Sequence, residues 1–223
     1  MILARIARIA VPAALFSFAL SLAACEDPAK DKPKATVSSA APATQGTQAA
    51  PSGGSESLTV NAAESSVGFV GSKVTGKHEG KFEKMEGSIS LAGGKAEGGK
   101  VMFAVDIDSV KTDSDKLDGH LKSPDFFDAA KFVKATFESS QIKAGGGVAG
   151  ATHTVTGELN LHGVRKTITF PATITVTPDG AVGTAEFSIN RKDFGIVYAG
   201  KADDLIRDDV LIKLNLHAKR NKG

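Results

Sequence analysis

The sequence has few of the residues that cross-link a fold or build a metal site. Its single cysteine, Cys25, has no partner, so no intramolecular disulfide can form. The five histidines are widely spaced and lack the close ligand pairs typical of zinc sites. Nucleophile-elbow, metalloprotease and phosphate-loop motifs are also missing. We therefore expect no metal, no cofactor and no catalytic residue, and a fold held together by an apolar core.

The chain also has little net charge. The formal excess of +2 is accounted for by Arg5 and Arg8, so removal of both leaves zero (2 − 2 = 0). Nothing resembles the basic patch of a nucleic-acid-binding protein, and we expect no nucleic-acid partner.

The first 24 residues have the pattern of a secretory signal peptide. A basic start is followed by an uncharged stretch at 9–24, which is shorter than a membrane-spanning helix needs. Residues 22–25, LAAC, then resemble the bacterial lipobox. The resemblance implies cleavage before Cys25, lipidation of its thiol and a membrane anchor of more than one acyl chain. An ordinary signal peptide with an incidental cysteine is the alternative.

Location follows from the same resemblance. We expect a lipid-anchored protein of the cell envelope that faces the periplasm. Glu26, rather than aspartate, follows the cysteine. Under the sorting pattern of some Gram-negative bacteria, this favours the outer membrane over the inner one.

Composition divides the rest of the chain in two. Residues 25–56 carry the lipidated cysteine and a segment rich in Ala, Pro, Ser, Thr, Gln and Gly, which predicts a disordered tether. Residues 57–223 have the composition of a folded domain. They contain ten of the twelve phenylalanines, since only Phe16 and Phe18 lie outside.

Period-two alternation in the domain predicts an all-β fold. Residues 101–108 and 210–217 place large apolar residues at every second position, and glycine-rich turns separate such runs. About eight antiparallel strands are expected, in a sandwich or barrel. Residues 113–127 lack the alternation and predict a short helix capped by Asp113 or Ser114. Residues 200–207 predict a turn of helix. Pro171 indicates an edge, a bulge or a bend.

Four ordered motifs resemble the YceI-like family of polyisoprenoid-binding proteins. They are HLKSPDFFD at 120–128, ATFES at 135–139, GELNLHGV at 157–164 and NRKDFGI at 190–196, preceded by a glycine-rich segment with His78, Gly80 and Phe82. Any one motif is weak, but together they span nearly the whole domain in the family's order.

The resemblance implies an extended, lipocalin-like, eight-stranded antiparallel barrel around an isoprenoid chain. The ligand would be a quinone or a prenyl phosphate, which the protein stores or carries without chemistry of its own. True lipocalins usually have a tryptophan near their first strand, and this chain has no tryptophan. The likeness is therefore one of architecture.

Two groups of side chains are candidates for the ligand site. An apolar lining is expected from Phe69, Phe82, Phe103, Val105, Phe126, Phe127, Phe137, Phe170, Phe187 and Phe194. A polar mouth is expected from His120, Asp125 and Arg191, where the arginine would meet a headgroup. The alternatives are that most of these phenylalanines are core, that 120–128 is a pinned loop, and that Arg191 pairs with Asp193 or Asp203.

Three functions remain open from the sequence. The first is an isoprenoid-binding module, and it predicts a large apolar tunnel. The second is a non-catalytic envelope or stress lipoprotein with a packed barrel that acts through protein contacts. The third is a hydrolase or isomerase with converging titratable groups of shifted pKa. A homodimer is also left open.

Overall fold

The computed structural model describes residues 27–40 and 55–220. The strands are β1 (Thr36–Ser39), β2 (Ser55–Val60), β3 (Ser66–Lys73), β4 (Gly76–Phe82), β5 (Met85–Ala92), β6 (Lys95–Asp106), β7 (Val110–Thr112), β8 (Lys134–Ala144), β9 (His153–Leu161), β10 (Val164–Thr177), β11 (Gly180–Asn190), β12 (Gly200–Lys201), β13 (Asp204–Leu205) and β14 (Asp209–Arg220). One helix, α1 (Asp115–Lys122), and 3-10 turns at Ile107–Ser109 and Arg191–Phe194 complete the elements.

Eight antiparallel strands close a barrel, which confirms the predicted fold. Their order around the wall is β2, β5, β6, β8, β9, β10, β11 and β14, and β14 pairs back with β2. At one end β3, β4 and β7 extend this wall, because β3 follows β2 along the same edge of β14. We call this end, which carries α1, the upper end. The lower end carries the turn between β10 and β11.

Alternation along the strands builds the core. Inward positions of β8, β10 and β11, such as Phe137, Ile168 and Ile189, are buried in one central cluster. A second cluster around Leu58 and Leu91 fills the lower end. A third cluster closes the upper end; its buried members are Val110, Leu121, Phe126 and Ile196. Apolar side chains thus close the barrel at both ends.

Pro171 lies where β10 changes its neighbour. On one edge β10 pairs with β9 as far as Ala172, and Pro171 is opposite Thr154. On its other edge β10 pairs with β1 up to Thr169 and with β11 only from Thr173. Proline has no N–H to donate, so a strand tolerates it best where no neighbouring strand needs that hydrogen bond.

Residues 27–40 correct the prediction of a disordered tether. This segment, which we call the strap, lies in the gap between β10 and β11. Its strand β1 pairs with β10, the Ala35 N–H donates to the Ser188 carbonyl at 2.9 Å, and the Ser188 N–H donates to the Pro33 carbonyl at 2.8 Å. Composition missed this because an added strand is held mainly by backbone hydrogen bonds. Only Ala35 and the half-buried Val37 join the central core.

Other predictions have mixed outcomes. The helix forms within 113–127, with Ser114 at its N-cap position but without a side-chain capping bond. The predicted helical turn at 200–207 is wrong, because these residues form the β12–β13 hairpin. The predicted domain start at 57 falls inside β2, which begins at Ser55. The predicted signal peptide and the lipidated Cys25 lie outside the described residues.

Residues 27–40 and 55–220 contain no helix with the length and apolar character required to cross a lipid bilayer.

Candidate functional site

The upper half of the barrel encloses an apolar cavity of about 160 Å³. Nine of the ten predicted apolar residues line it: Phe69, Phe82, Phe103, Val105, Phe126, Phe127, Phe137, Phe170 and Phe187. Phe194 does not line it. The Phe194 side chain is fully buried in the 3-10 turn after β11. The main-chain carbonyl of Phe194 accepts a hydrogen bond from His162 Nδ1 at 3.2 Å.

Of the aliphatic side chains in the wall, the sequence-based prediction named Val105 alone. Residues such as Ile168, Ile189, Ile212 and Leu214 face the same cavity. Each occupies an inward position in an alternating strand, so the signal was present in the period-two pattern. The phenylalanines drew attention because of their size, yet aliphatic side chains supply as much of the lining.

A row of phenylalanines separates this cavity from a smaller one. Phe103 and Phe137 have ring centroids 5.5 Å apart, and Phe137 and Phe170 are 5.6 Å apart. These three rings, the aromatic partition, line both the upper cavity and a lower cavity of about 40 Å³. Phe187 stacks on Phe170 at 4.2 Å. The partition therefore forms the floor of the upper cavity.

A second aromatic group forms the roof. Phe69 on β3, Phe82 on β4 and Phe127 after α1 lie in a triangle with ring centroids 5.8 to 6.1 Å apart. We call these three residues the aromatic roof. Tilted and edge-on aromatic contacts of this kind are favourable beyond their buried area. Since roof and floor are both aromatic, the space between them is bounded above and below by apolar rings.

Arg191 holds the segment that closes the upper end beside the roof. This covering segment, residues 196–208, contributes Ile196 and Ile206 to the cavity wall. The buried guanidinium of Arg191 donates to the Ile196 carbonyl at 2.7 Å and to the Arg207 carbonyl at 3.1 Å. It also pairs with Asp208 at 3.2 Å, not with Asp193 or Asp203. The guanidinium N–H groups of Arg191 thus bind the backbone carbonyls and the Asp208 carboxylate of the covering segment.

Burial sets the electrostatics at this position. It lowers the pKa of the Arg191 guanidinium, while the negative charge of Asp208 opposes the shift. Arginine nevertheless stays charged in proteins. Among the described residues that line the upper cavity, Arg191 is the one that carries a charge.

His120 and Asp125 lie together on the outer side of the roof. His120 Nε2 is 2.9 Å from an Asp125 carboxylate oxygen, and both side chains are well exposed. The imidazole packs edge-on against Phe126 and Tyr198, at 4.9 and 5.1 Å between centroids. Neither residue is among those that line the cavity. An exposed pair of this kind contributes little stability, so its ring contacts matter more.

A buried carboxylate fastens α1 to the barrel. Asp118 accepts hydrogen bonds from the Thr112 N–H at 2.7 Å and the Thr112 hydroxyl at 2.6 Å, and it pairs with Lys111 at 2.9 Å. These bonds, chiefly that from the Thr112 hydroxyl, lower the pKa of Asp118 to about 2. Because α1 carries Leu121 into the cavity wall, this contact fixes one side of the chamber.

The arrangement suits holding an apolar chain. Within residues 27–40 and 55–220, no group of three or more His, Cys, Asp or Glu side chains could hold a metal ion. The enclosed wall offers an apolar surface, and a polar headgroup would be better solvated at the upper end than inside.

A family model described as "YceI-like domain" matches residues 58–218. A UPF0312 protein of Pseudomonas fluorescens is 32% identical over 140 residues, covering 60% of this chain and 71% of the relative. A UPF0312 protein of Shewanella denitrificans is 33% identical over 143 residues, covering 60% of this chain and 72% of the relative.

Solved structures share the fold. BcnA of Burkholderia cenocepacia superposes with a TM-score of 0.63 at 27% identity, over 72% of this chain and 99% of that chain. A polyisoprenoid-binding domain from Saccharophagus degradans has a TM-score of 0.59 at 20% identity, over 74% of this chain and 98% of that chain. Both match the length of the barrel domain.

Proposed function

Because the chain belongs to the YceI-like domain family, we propose that it binds the apolar chain of an isoprenoid lipid in the upper cavity. The observation that carries the proposal is a partly enclosed chamber with an apolar wall, between the aromatic roof and the aromatic partition. Close packing normally leaves few such voids in a protein interior. A polyisoprenoid-binding domain among the solved structures with this fold supports the choice of ligand.

The energetics favour such a ligand. Each buried methylene contributes roughly 0.8 kcal/mol, so two five-carbon isoprene units give a gross gain of about 8 kcal/mol before the costs of binding. Apolar cavities of about 150 Å³ stay dry and accept a ring-sized ligand. A longer chain therefore has to displace the aromatic partition and enter the lower half.

The headgroup and the cellular role complete the proposal. A quinone or a prenyl phosphate would keep its polar end at the upper end of the barrel. The protein would store or carry this lipid in the cell envelope, held to a membrane through lipidated Cys25, and would catalyse no reaction. A tail that is already in a bilayer gains little by transfer, which suits reversible loading and release.

Native mass spectrometry tests the proposal. The chain from Cys25 onward, produced without residues 1–24 so that it is not lipidated, is purified from a bacterial host without detergent. Its intact mass is compared before and after organic extraction. We expect a stoichiometric added mass that extracts as an isoprenoid. A bare mass that is unchanged after incubation with prenyl quinones and prenyl phosphates would contradict the proposal and favour an envelope protein that acts through protein contacts.

A further inference from the structure

Three exposed apolar side chains lie on the two loops that close the upper end. Val197 and Leu205 belong to the covering segment, and Val74 is in the β3–β4 turn; their exposed fractions are 65%, 51% and 57%. The Val74 N–H donates to the Leu205 carbonyl at 3.2 Å, so the two loops are hydrogen-bonded to each other. We call these three residues the apolar tip.

The covering segment has apolar side chains both on its cavity-facing side and on its solvent-facing side. Ile196 and Ile206 point into the cavity wall, while their chain neighbours Val197 and Leu205 are exposed. The same two loops are held in place by polar contacts: Lys73 pairs with Asp204, and the Thr75 hydroxyl donates to Asp204 at 2.9 Å. The apolar tip is therefore presented on backbone that polar contacts hold in place, and its three side chains are available for an apolar contact.

The strap begins beside these loops. Asp27 pairs with Arg207 at 3.5 Å, and the Arg207 N–H donates to the Ser72 carbonyl at 2.8 Å. Cys25 precedes Asp27 by two residues, a length of chain that spans at most about 7 Å. A lipid on Cys25 would thus enter the bilayer close to the apolar tip, and not at the end of a long tether.

We propose that the apolar tip is a membrane-docking surface that places the upper end of the barrel on a lipid bilayer. Its valine and leucine side chains enter the interface next to the acyl chains on Cys25, and the second contact fixes the orientation that a single flexible anchor would leave free. The proposal rests on the proposed function, for which it supplies the loading route: a lipid passes from the bilayer past Ile196 and Ile206 into the cavity.

The absence of tryptophan from the natural sequence permits a direct test. Single reporters are introduced as Val197→Trp and Leu205→Trp. The controls are Met102→Trp and Val148→Trp, at exposed apolar positions in the middle of β6 and in the β8–β9 loop at the lower end. The chain from Cys25 onward is coupled through its one thiol to a maleimide lipid in phosphatidylcholine–phosphatidylglycerol vesicles. Every variant then has the same anchor, whether or not cells lipidate the cysteine.

We expect blue-shifted emission and quenching by brominated lipid at 197 and 205, with water-like emission at 102 and 148. Water-like emission at all four positions, or equal quenching at all four, would overturn the docking surface. Transfer of a prenyl quinone from vesicles should also be several-fold slower for Val197→Asp than for Val148→Asp. If the tip reporters enter the bilayer but native mass spectrometry finds no isoprenoid, the docking surface stands and the proposed function fails. If isoprenoid binds while the reporters stay in water, the reverse holds.

Discussion

The two halves of the barrel are built from the same strands but packed differently. Above the aromatic partition the wall encloses a cavity of about 160 Å³, and below it only about 40 Å³ remains. The lower half is stoppered by fully buried Leu58 and Leu91. Since native interiors are close-packed, the larger unfilled volume of the upper half is the feature on which the proposed ligand site depends.

Glycines show how the space is kept. Gly71 on β3 and Gly183 on β11 line the upper and lower cavities respectively, and a Cβ added at either would meet no atom within 4 Å. Neither glycine has a positive φ, so side chains are tolerated there. Each half thus offers a position where its free volume can be filled without straining the backbone.

The largest expected effect comes from removing the partition. Phe137→Ala deletes a ring that is 2% exposed, and we expect a loss of about 3 to 5 kcal/mol in the free energy of unfolding. The two cavities should join, so binding should shift from short towards long prenyl quinones. Denaturant unfolding and native mass spectrometry with a mixture of chain lengths measure the two effects.

Phe194→Ala is the matched control for this prediction. Phe194 is fully buried but lies outside the cavity wall. Phe194→Ala should lower the free energy of unfolding by a similar amount without changing the preference for prenyl-chain length. An equal shift in preference for both variants would mean that the partition does not set the depth of the site.

A smaller effect is expected where the upper end is closed. Arg191→Met leaves the Ile196 and Arg207 carbonyls without their donor, and we expect a loss of about 2 to 3 kcal/mol in unfolding free energy. Bound lipid should also dissociate faster as the covering segment loosens. Arg165→Met, which removes an exposed pair with Glu158, should cost less than about 1 kcal/mol. Similar losses for both would refute a special role of Arg191.

The pH dependence of α1 gives the smallest effect. The pKa of Asp118 is lowered from its ordinary value of 3.8 to about 2 in the folded state. Its stabilising contribution is therefore complete above 3.8 and disappears as the pH falls through this window towards 2. The protection factors of the α1 amides, which correct the exchange rates for the pH-dependent intrinsic rate, should fall as the pH drops through that range. Asp118→Asn should exchange faster above it and show a weaker pH dependence within it.

Asp115→Asn serves as the comparison for Asp118. The Asp115 carboxylate pairs with the same Lys111 but is almost fully exposed. The Asp115→Asn substitution should therefore leave the pH profile of α1 nearly unchanged. A profile that flattens in Asp115→Asn and not in Asp118→Asn would contradict the assignment.

The barrel and the aromatic part of its lining could be predicted from the sequence because strand alternation and motif order are local signals. The strap could not, since residues 36–39 are placed by backbone pairing with β10 and by a gap near Pro171. The role of Arg191 was also hidden. Its partners lie on residues 196–208, which the sequence analysis interpreted in part as helix.

The two glycine positions give the most direct test of the claim that the upper half holds the ligand. Gly71→Leu, Gly183→Leu and the unchanged sequence are each produced as the chain from Cys25 onward, without residues 1–24, and are purified without detergent. The bound lipid of each is measured by native mass spectrometry. We predict that Gly71→Leu loses the bound isoprenoid, whereas Gly183→Leu keeps it and rejects only the longest chains. Retention of the full lipid load by Gly71→Leu, with loss in Gly183→Leu, would contradict the account.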